Sequence, residues 1–405
     1  MQHNENPNIQ SIQITNLLSF GPETQDLDLR SLNVLIGPNG SGKSNLIDAF
    51  GILQASPKDL LAPFKGKASG GITEWLWKGG NDNNAASIAV HIHFPGKKNQ
   101  IPLKHEITFG VEGQKFRLMD EAVEDSHKER SDCDDVRFYY RFRHGDPILN
   151  VKQKSRKLIR EHVSFDQSIL SQRRDPDQYP EIFNITKHYE GMTLYREWHL
   201  GRNAPPRQPH PSDMPGDYLA EDASNLVLVL NALEMKPQTR ELLLLKLKEF
   251  NGQYARIYPR IEMGSIQLYL EENLSGDSSR SALIPASRLS DGTMRFLCLL
   301  AVLCHPNPPP LVCIEEPEMG LHPDILPTVV DLLREASKKT QIIVTTHSDI
   351  IVDALTETPE AVVICEKVDG QTQMRRLGPK DLKGWINQYR LGGAWLNGEL
   401  GGSRW

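Results

Sequence analysis

Four clusters of residues in this chain have types and spacings that could do chemistry. The first is Gly37-Pro38-Asn39-Gly40-Ser41-Gly42-Lys43-Ser44-Asn45, set between the apolar run "LNVLI" and the helical pattern "NLIDAF". It fits G-x-x-x-x-G-K-[ST] without a mismatch, in the strand–loop–helix context that the pattern requires. Glycines there let the backbone curl so that successive N–H groups point at phosphate oxygens, at the positive end of the following helix. Lys43 then reaches the β- and γ-phosphates, and the Ser44 hydroxyl is placed to ligate Mg²⁺. A turn that merely needs glycines is the bland alternative. The complete match in context favours a nucleoside triphosphate, ATP with Mg²⁺.

The second cluster is "LVCIEEPEMGLHPD" (311–324). A buried strand delivers Glu315 and Glu316 at its carboxyl end, where open α/β sheets place their ligands. Successive strand residues point to opposite sides, so the two acids take different tasks. Glu315 is assigned to the Mg²⁺ shell and Glu316 to polarising an attacking water as general base. The third, "TQIIVTTHS", sets His347 at the tip of another buried strand, one helix after the acids, where a γ-phosphate sensor would sit. No H-E-x-x-H or Cys/His spacing supports a histidine-bound metal. The fourth, "SRLSDGTMRFLCLLAVL" (287–303), begins a hydrophobic helix: Ser290 is its N-cap and Gly292 a first-turn residue. Such an N-terminus, with a free hydroxyl and exposed N–H groups, is ready to receive an anion.

These residues need a frame. "IQSIQITNLLSF" and "LNVLIG" read as strands leading into the phosphate loop, and the short alternating segments from about 86 to 151 as an antiparallel meander. Residues 200–217 are too rich in proline for helix or central strand and read as an ordered loop. Two helical segments follow between 220 and 250, then a strand pair in "ARIYPRIEMGSIQLYLEE". From 311 onward, apolar strands alternate with helices, the pattern of a parallel sheet covered on both faces. The expected fold is therefore α/β, a P-loop NTPase with an antiparallel lobe, a parallel core and a helical insertion. Its regions run 1–165, 166–285 and 286–405, the first and last forming one discontinuous domain.

Composition narrows the function classes. At 405 residues, 39% apolar and 24% charged, the chain can bury a sizeable core. A formal net charge of −6 argues against global attraction to nucleic acid. The stretch from Arg137 to Arg160 carries eight Lys/Arg against one acid, which makes it a candidate DNA or partner surface. Cys133, Cys298, Cys304, Cys313 and Cys365 form no C-x-x-C pair and read as reduced thiols of a cytoplasmic protein. The N-terminus shows no signal-peptide pattern, and the longest apolar run is too short to span a membrane.

The order of "GPNGSGKSN", "RLSDGTMRFL", "IEEPEMGLHP" and "TTHS" resembles an ABC-class ATPase head of the SMC/RecF-like branch. Within that branch the chain is similar to stand-alone bacterial AAA-family ATPases, some of which belong to anti-phage systems. The resemblance implies two heads sandwiching two ATP molecules in an ATP-dependent homodimer. Ser290 and Gly292 would then contact the γ-phosphate in trans, 319–324 would line the dimer interface, and His347 would sense the γ-phosphate. Output would pass to DNA or to an effector protein encoded nearby, in repair or antiviral defence. Two departures stand out. Glu315 occupies a position where many ABC proteins carry Asp, and "LSDGT" lacks the second glycine and glutamine of transporter motors. The glutamine loop has two candidates, Gln54 and Gln172, with nothing in the sequence to decide between them.

Three competing activities fit less well. The related overcoming-lysogenization nucleases add a Toprim domain, but only about 35 residues follow "AVVICEKVDG", without the E-G…D-x-D series. The signature and the insertion argue against a transporter motor. No acceptor pocket is legible for a small-molecule kinase. A separately encoded nuclease or toxin under this ATPase's control remains the main alternative to direct DNA binding.

Overall fold

The computed structural model describes residues 8–23, 25–66, 69–80, 85–95, 101–127, 136–143, 146–151, 154–157, 164, 166–274, 280–378 and 390–401. The chain divides into two compact units. One comprises Met1–Met192, Glu360–Lys383 and Asn397–Trp405; the other comprises Thr193–Pro359 and Gly384–Leu396.

In the first unit, eight strands form an antiparallel sheet in the order Asp26–Asp28, Asn8–Thr15, Ala85–His93, Leu103–Glu112, Lys115–Asp125, Phe138–Arg143, Asp146–Val151, Lys154–Lys157. Burial alternates along Leu103–Glu112, the period-two signature of a sheet with one face on the core. The expected meander is present and extends beyond residue 151 to Lys157, with the two N-terminal strands joined to it. Part of the basic stretch 137–160 (residues 144–145, 152–153 and 158–160) lies outside the described residues, as does Cys133.

The same unit holds Leu32–Ile36, buried at every position and parallel to Val362–Val368. A two-residue Asp369-Gly370 turn, both residues at positive φ, folds Val368 back into the antiparallel strand Gln371–Arg376. Helices Lys43–Ala55, Ile169–Gln172 and Pro180–Gly191 accompany these strands.

A buried polar knot ties the short helices to the meander. Glu121 and His105, both fully buried, lie 3.3 Å apart, and His105 Nδ1 is 3.0 Å from the Tyr189 hydroxyl. Glu121 also accepts from the Ser168 hydroxyl and, at 2.8 Å, from the Ile169 amide. Ser168 is the N-cap of Ile169–Gln172, so one carboxylate fixes the start of that helix.

The second unit contains three parallel strands, with Leu311–Glu315 between Thr193–Tyr195 and Gln341–Thr345. Helices Leu226–Glu234, Pro237–Phe250, Asp291–Leu303, Leu326–Ser337 and Asp349–Ala354 belong to it. So does a small antiparallel sheet in which Ser265–Asn273 pairs with His210–Pro211, Tyr254–Glu262 and Ser281–Pro285. Helix Asp291–Leu303 is buried from Thr293 through Leu303, as its apolar sequence demands. The tail segment "LGGAWL" forms helix Leu391–Leu396, whose Gly392 amide donates to Asp353 at 2.6 Å. Among the described residues no helix is long and apolar enough to cross a membrane.

Replacing Glu121 by alanine strands His105, Ser168 and an amide without their acceptor, which should cost on the order of 3 kcal/mol. A urea titration of the full chain checks this; a midpoint equal to that of the parent would show the knot to be dispensable.

Candidate functional site

The phosphate loop is built as its sequence requires. Gly37, Gly40 and Gly42 take φ of 147°, 78° and 99°, the left-handed region that favours glycine. Two of them also have no room for a side chain. A Cβ on Gly37 would stand 2.1 Å from the Cys365 carbonyl oxygen, and one on Gly42 would stand 2.1 Å from the Thr372 hydroxyl oxygen. Gly42 is the N-cap of helix Lys43–Ala55; no side chain caps that terminus and no acid occupies its first turn. Its positive end is therefore shaped for an anion. Lys43, 6% exposed, folds back so that Nζ donates to the carbonyls of Gly37 at 2.8 Å and Pro38 at 2.9 Å. The Ser41 hydroxyl is buried without a hydrogen-bond partner, and a phosphate oxygen suits it as acceptor.

Sequence reasoning missed the buttress behind this loop. The Thr372 hydroxyl donates to the Ser41 carbonyl at 2.9 Å and lies 2.6 Å from the Ser19 hydroxyl. Ser19 in turn accepts from the Asn45 amide at 2.6 Å. If Asn45 donates to Ser19, Ser19 to Thr372 and Thr372 to Ser41, every proton in the relay is used once. Contacts spanning 331 and 353 residues leave no local sequence signal. Burial pushes the Cys365 thiol behind the loop up to about 12, so it is a packed thiol and not a nucleophile.

In the second unit, strand Leu311–Glu315 ends as read, with Glu315 opposite Thr345. The next residue turns sharply: Glu316 has φ 45°, a left-handed conformation that costs a non-glycine residue about 1–3 kcal/mol unless its surroundings impose it. Those surroundings are present. The Glu316 amide donates to the Thr345 carbonyl at 3.0 Å, and its carbonyl accepts from Arg295 at 3.2 Å. Its carboxylate lies 3.7 Å from His347 Nε2, so the structure brings the expected base and the expected sensor together.

A third acid, Glu318, organises that pair and was not singled out from sequence, although "EEPE" contains it. Its Oε1 accepts from the Thr346 hydroxyl at 2.7 Å and from the His347 amide at 2.8 Å, while Oε2 is buried without a partner. Burial raises its pKa, opposed by those two donors. Arg295 likewise carried no motif signal. It sits over the Trp198 ring at 5.6 Å, with burial lowering its pKa.

The signature segment departs from expectation in one respect. The Ser290 hydroxyl is not free: it accepts from the Thr293 amide at 3.0 Å and pairs with the Thr293 hydroxyl at 2.8 Å. Thr293, three residues on, was the available sign of this cap. Ser290 and Gly292 line one cleft with Gly320, Leu321, His322 and Asp324, so the stretch expected to meet a partner's nucleotide and the stretch expected at the dimer interface share a surface. A Cβ on Gly292 would stand 2.5 Å from the Gly320 carbonyl oxygen, which explains the glycine without appeal to a ligand. Of the glutamine candidates, Gln54 donates to the Met192 carbonyl at 2.9 Å and Gln172 accepts from the Ser164 amide at 3.0 Å. Neither arrangement selects one as the glutamine loop.

The donor set fits ATP with Mg²⁺. The glycine cradle, the uncapped helix start and the orphaned Ser41 hydroxyl suit phosphate; within the first unit the exposed Ser44, and within the second the half-buried Glu315, each carry a hard oxygen donor of the kind that Mg²⁺ prefers. Among the described residues no cluster of three or more His, Cys, Asp or Glu forms a metal cage. Gly42→Ala adds both a disfavoured φ and a clash with Thr372. It should weaken ATP binding at least about 100-fold, roughly 2.7 kcal/mol, in a calorimetric titration; affinity within a few-fold of the parent would contradict this account of the loop.

Comparison with known proteins places the fold and the family. Among curated proteins none matches the chain in sequence. In structure it is similar to an SMC head bound to the C-terminal winged-helix domain of ScpA, with 14% identity, TM-score 0.55, and 92% of this chain and 98% of that one covered. It is also similar to the SMC head with an extended coiled coil, bound to the C-terminal domain of ScpA, derived from Pyrococcus furiosus. That match has 14% identity and TM-score 0.52, and covers 94% of this chain and 99% of that one. The fold is thus that of an SMC-type ATPase head. A family described as "AAA domain, putative AbiEii toxin, Type IV TA system" matches residues 32–191 and 236–353, more than half of the sequence, and the chain belongs to that AAA-domain family.

Proposed function

We propose that the chain is an ATPase that acts as a nucleotide-gated switch between single and paired copies. The loop amides and Lys43 hold the β- and γ-phosphates and neutralise charge as it shifts toward the leaving oxygen. Glu316 accepts a proton from the water that attacks the γ-phosphorus, the bond from that phosphorus to the bridging oxygen breaks, and ADP and phosphate result. His347, oriented through its backbone amide by Glu318, senses whether the γ-phosphate is present. Ser44 and Glu315 would hold Mg²⁺, which when bound supplies charge neutralisation at the phosphates.

Pairing is the finer part of this reading, and one observation carries it. The Ser290 helix start and the 320–324 turn line a common cleft, as two surfaces for one partner nucleotide should. Closure by ATP is then a population shift, because the paired form makes γ-phosphate contacts that the single form lacks.

The output we favour is control of a separate effector protein. A family description that includes toxin–antitoxin systems supports it, as does the binding of ScpA domains by two structurally similar SMC heads. DNA is the second candidate ligand. With a net charge of −6, its contacts would be confined to a local basic surface such as the 137–160 stretch.

Glu316→Gln should bind ATP without turning it over. Its mass in solution should double on adding ATP and Mg²⁺, and adding Ser290→Arg should abolish the change. A mass unresponsive to ATP, with wild-type turnover intact, would contradict nucleotide-gated pairing.

A further inference from the structure

The proline-rich segment 200–217 has no role in the chemistry described so far, yet it contains the most completely buried cation of the second unit. Arg207 ends the short turn Pro205–Arg207, and its side chain is 1% exposed. Its guanidinium makes four contacts. Nε donates to the Leu200 carbonyl at 2.7 Å, closing the loop on itself. Nη1 donates to the carbonyls of Ala286 and Leu289, each at 2.6 Å. Nη2 donates to Asp291 Oδ1 at 2.5 Å. The Leu289 carbonyl immediately precedes Ser290 and the Asp291 carboxylate immediately follows it, so one planar fork grips the signature serine from both sides.

Two consequences follow from the chemistry of that fork. A guanidinium presents its donors in fixed directions, and a buried one is costly to leave unpaired. The loop and the backbone around Ser290 are therefore locked to each other. The second consequence is electrostatic. Asp291 stabilises the start of its own helix, but its negative charge stands beside the N-terminus that an incoming phosphate would have to approach. The Asp291 side chain is 70% exposed and lies in sequence between two residues that line the cleft, so its charge opposes an incoming anion unless a cation offsets it.

We propose that Arg207 is a positioning residue of the nucleotide switch: it fixes the backbone around Ser290 and offsets the charge of Asp291, so that the γ-phosphate held by a second copy can dock there. The proposal rests on the paired-copy reading and assigns to the proline-rich loop the task of keeping the signature receptive.

The test uses the full chain carrying Glu316→Gln, with ATP affinity and ATP-dependent mass measured separately. Arg207→Met should bind ATP within about threefold of the parent yet require at least about tenfold more ATP to pair, since it acts on assembly and not on the phosphate loop. Adding Asp291→Asn to Arg207→Met should recover much of the pairing, because the uncompensated charge is gone. A purely structural role predicts no such rescue. Arg207→Lys, which keeps the charge but not the fork, should fall between parent and Arg207→Met, and it serves as the probe if the methionine variant does not fold. Asp291→Asn alone should pair at no higher ATP than the parent; a clear rise would overturn the charge-offsetting role. If the parent pairs, Ser290→Arg blocks pairing and Arg207→Met pairs like the parent, the role of Arg207 is refuted while the paired-copy reading survives. If the parent does not pair, both fall together.

Discussion

A loop that recognises phosphate through its own amides must curl tightly, and a curl that tight has no room for side chains. That steric constraint shapes the first unit. Gly37 sits against the Cys365 carbonyl and Gly42 against the Thr372 hydroxyl, so the loop takes its form from the strand Val362–Val368 and the hairpin that follows. Residues more than 300 positions away in sequence thus set the shape of a nine-residue motif. The relay from Asn45 through Ser19 to Thr372 and the Ser41 carbonyl holds it there by hydrogen bonding. The helix dipole and Lys43 then act on a site that is already formed, which is what electrostatic preorganisation means in structural terms.

The second unit solves a related problem by a different route. A carboxylate proposed to activate water must leave its strand in a fixed direction, and Glu316 leaves through a left-handed turn that glycine adopts readily. Arg295 and Thr345 hold the backbone on either side of that turn, and Glu318 holds the amide of the residue whose ring faces the carboxylate. The three acids of "EEPE" therefore have three tasks: Glu315 at the strand end, Glu316 toward His347, and Glu318 beneath the histidine's backbone. What sets Glu318 apart is its partners, a backbone amide and a threonine hydroxyl, which hold its carboxylate in place.

How much of this was legible depended on the range of the interaction. The phosphate loop, the acids at their strand end and the histidine were readable because each is a local pattern with its own chemistry. The parallel strands and the meander were readable because burial imposes its period on sequence. Thr372, Ser19 and Arg207 were not, since the contacts that give each its place, Ser19 to Asn45, Arg207 to Asp291 and Thr372 to Ser19, span 26, 84 and 353 positions. Ser290 shows the opposite failure. Its hydroxyl was expected to be free, yet the local pattern that made it a cap also gave it a partner in Thr293. Glu318 lay in full view inside a motif, but nothing in sequence distinguishes an acid that holds a backbone from one that meets solvent.

The central claim is that the cleft of one copy completes the nucleotide site of another. Complementation between two inactive variants tests it most directly. Lys43→Ala disables a chain's own phosphate loop, and Ser290→Arg disables the surface it offers its partner, so neither should hydrolyse ATP alone. In a mixed pair, one site combines an intact phosphate loop with an intact signature. The account predicts that mixing the two purified variants restores ATP turnover that neither possesses. A mixture as inactive as its components, formed under conditions where wild-type chains exchange partners, would contradict it.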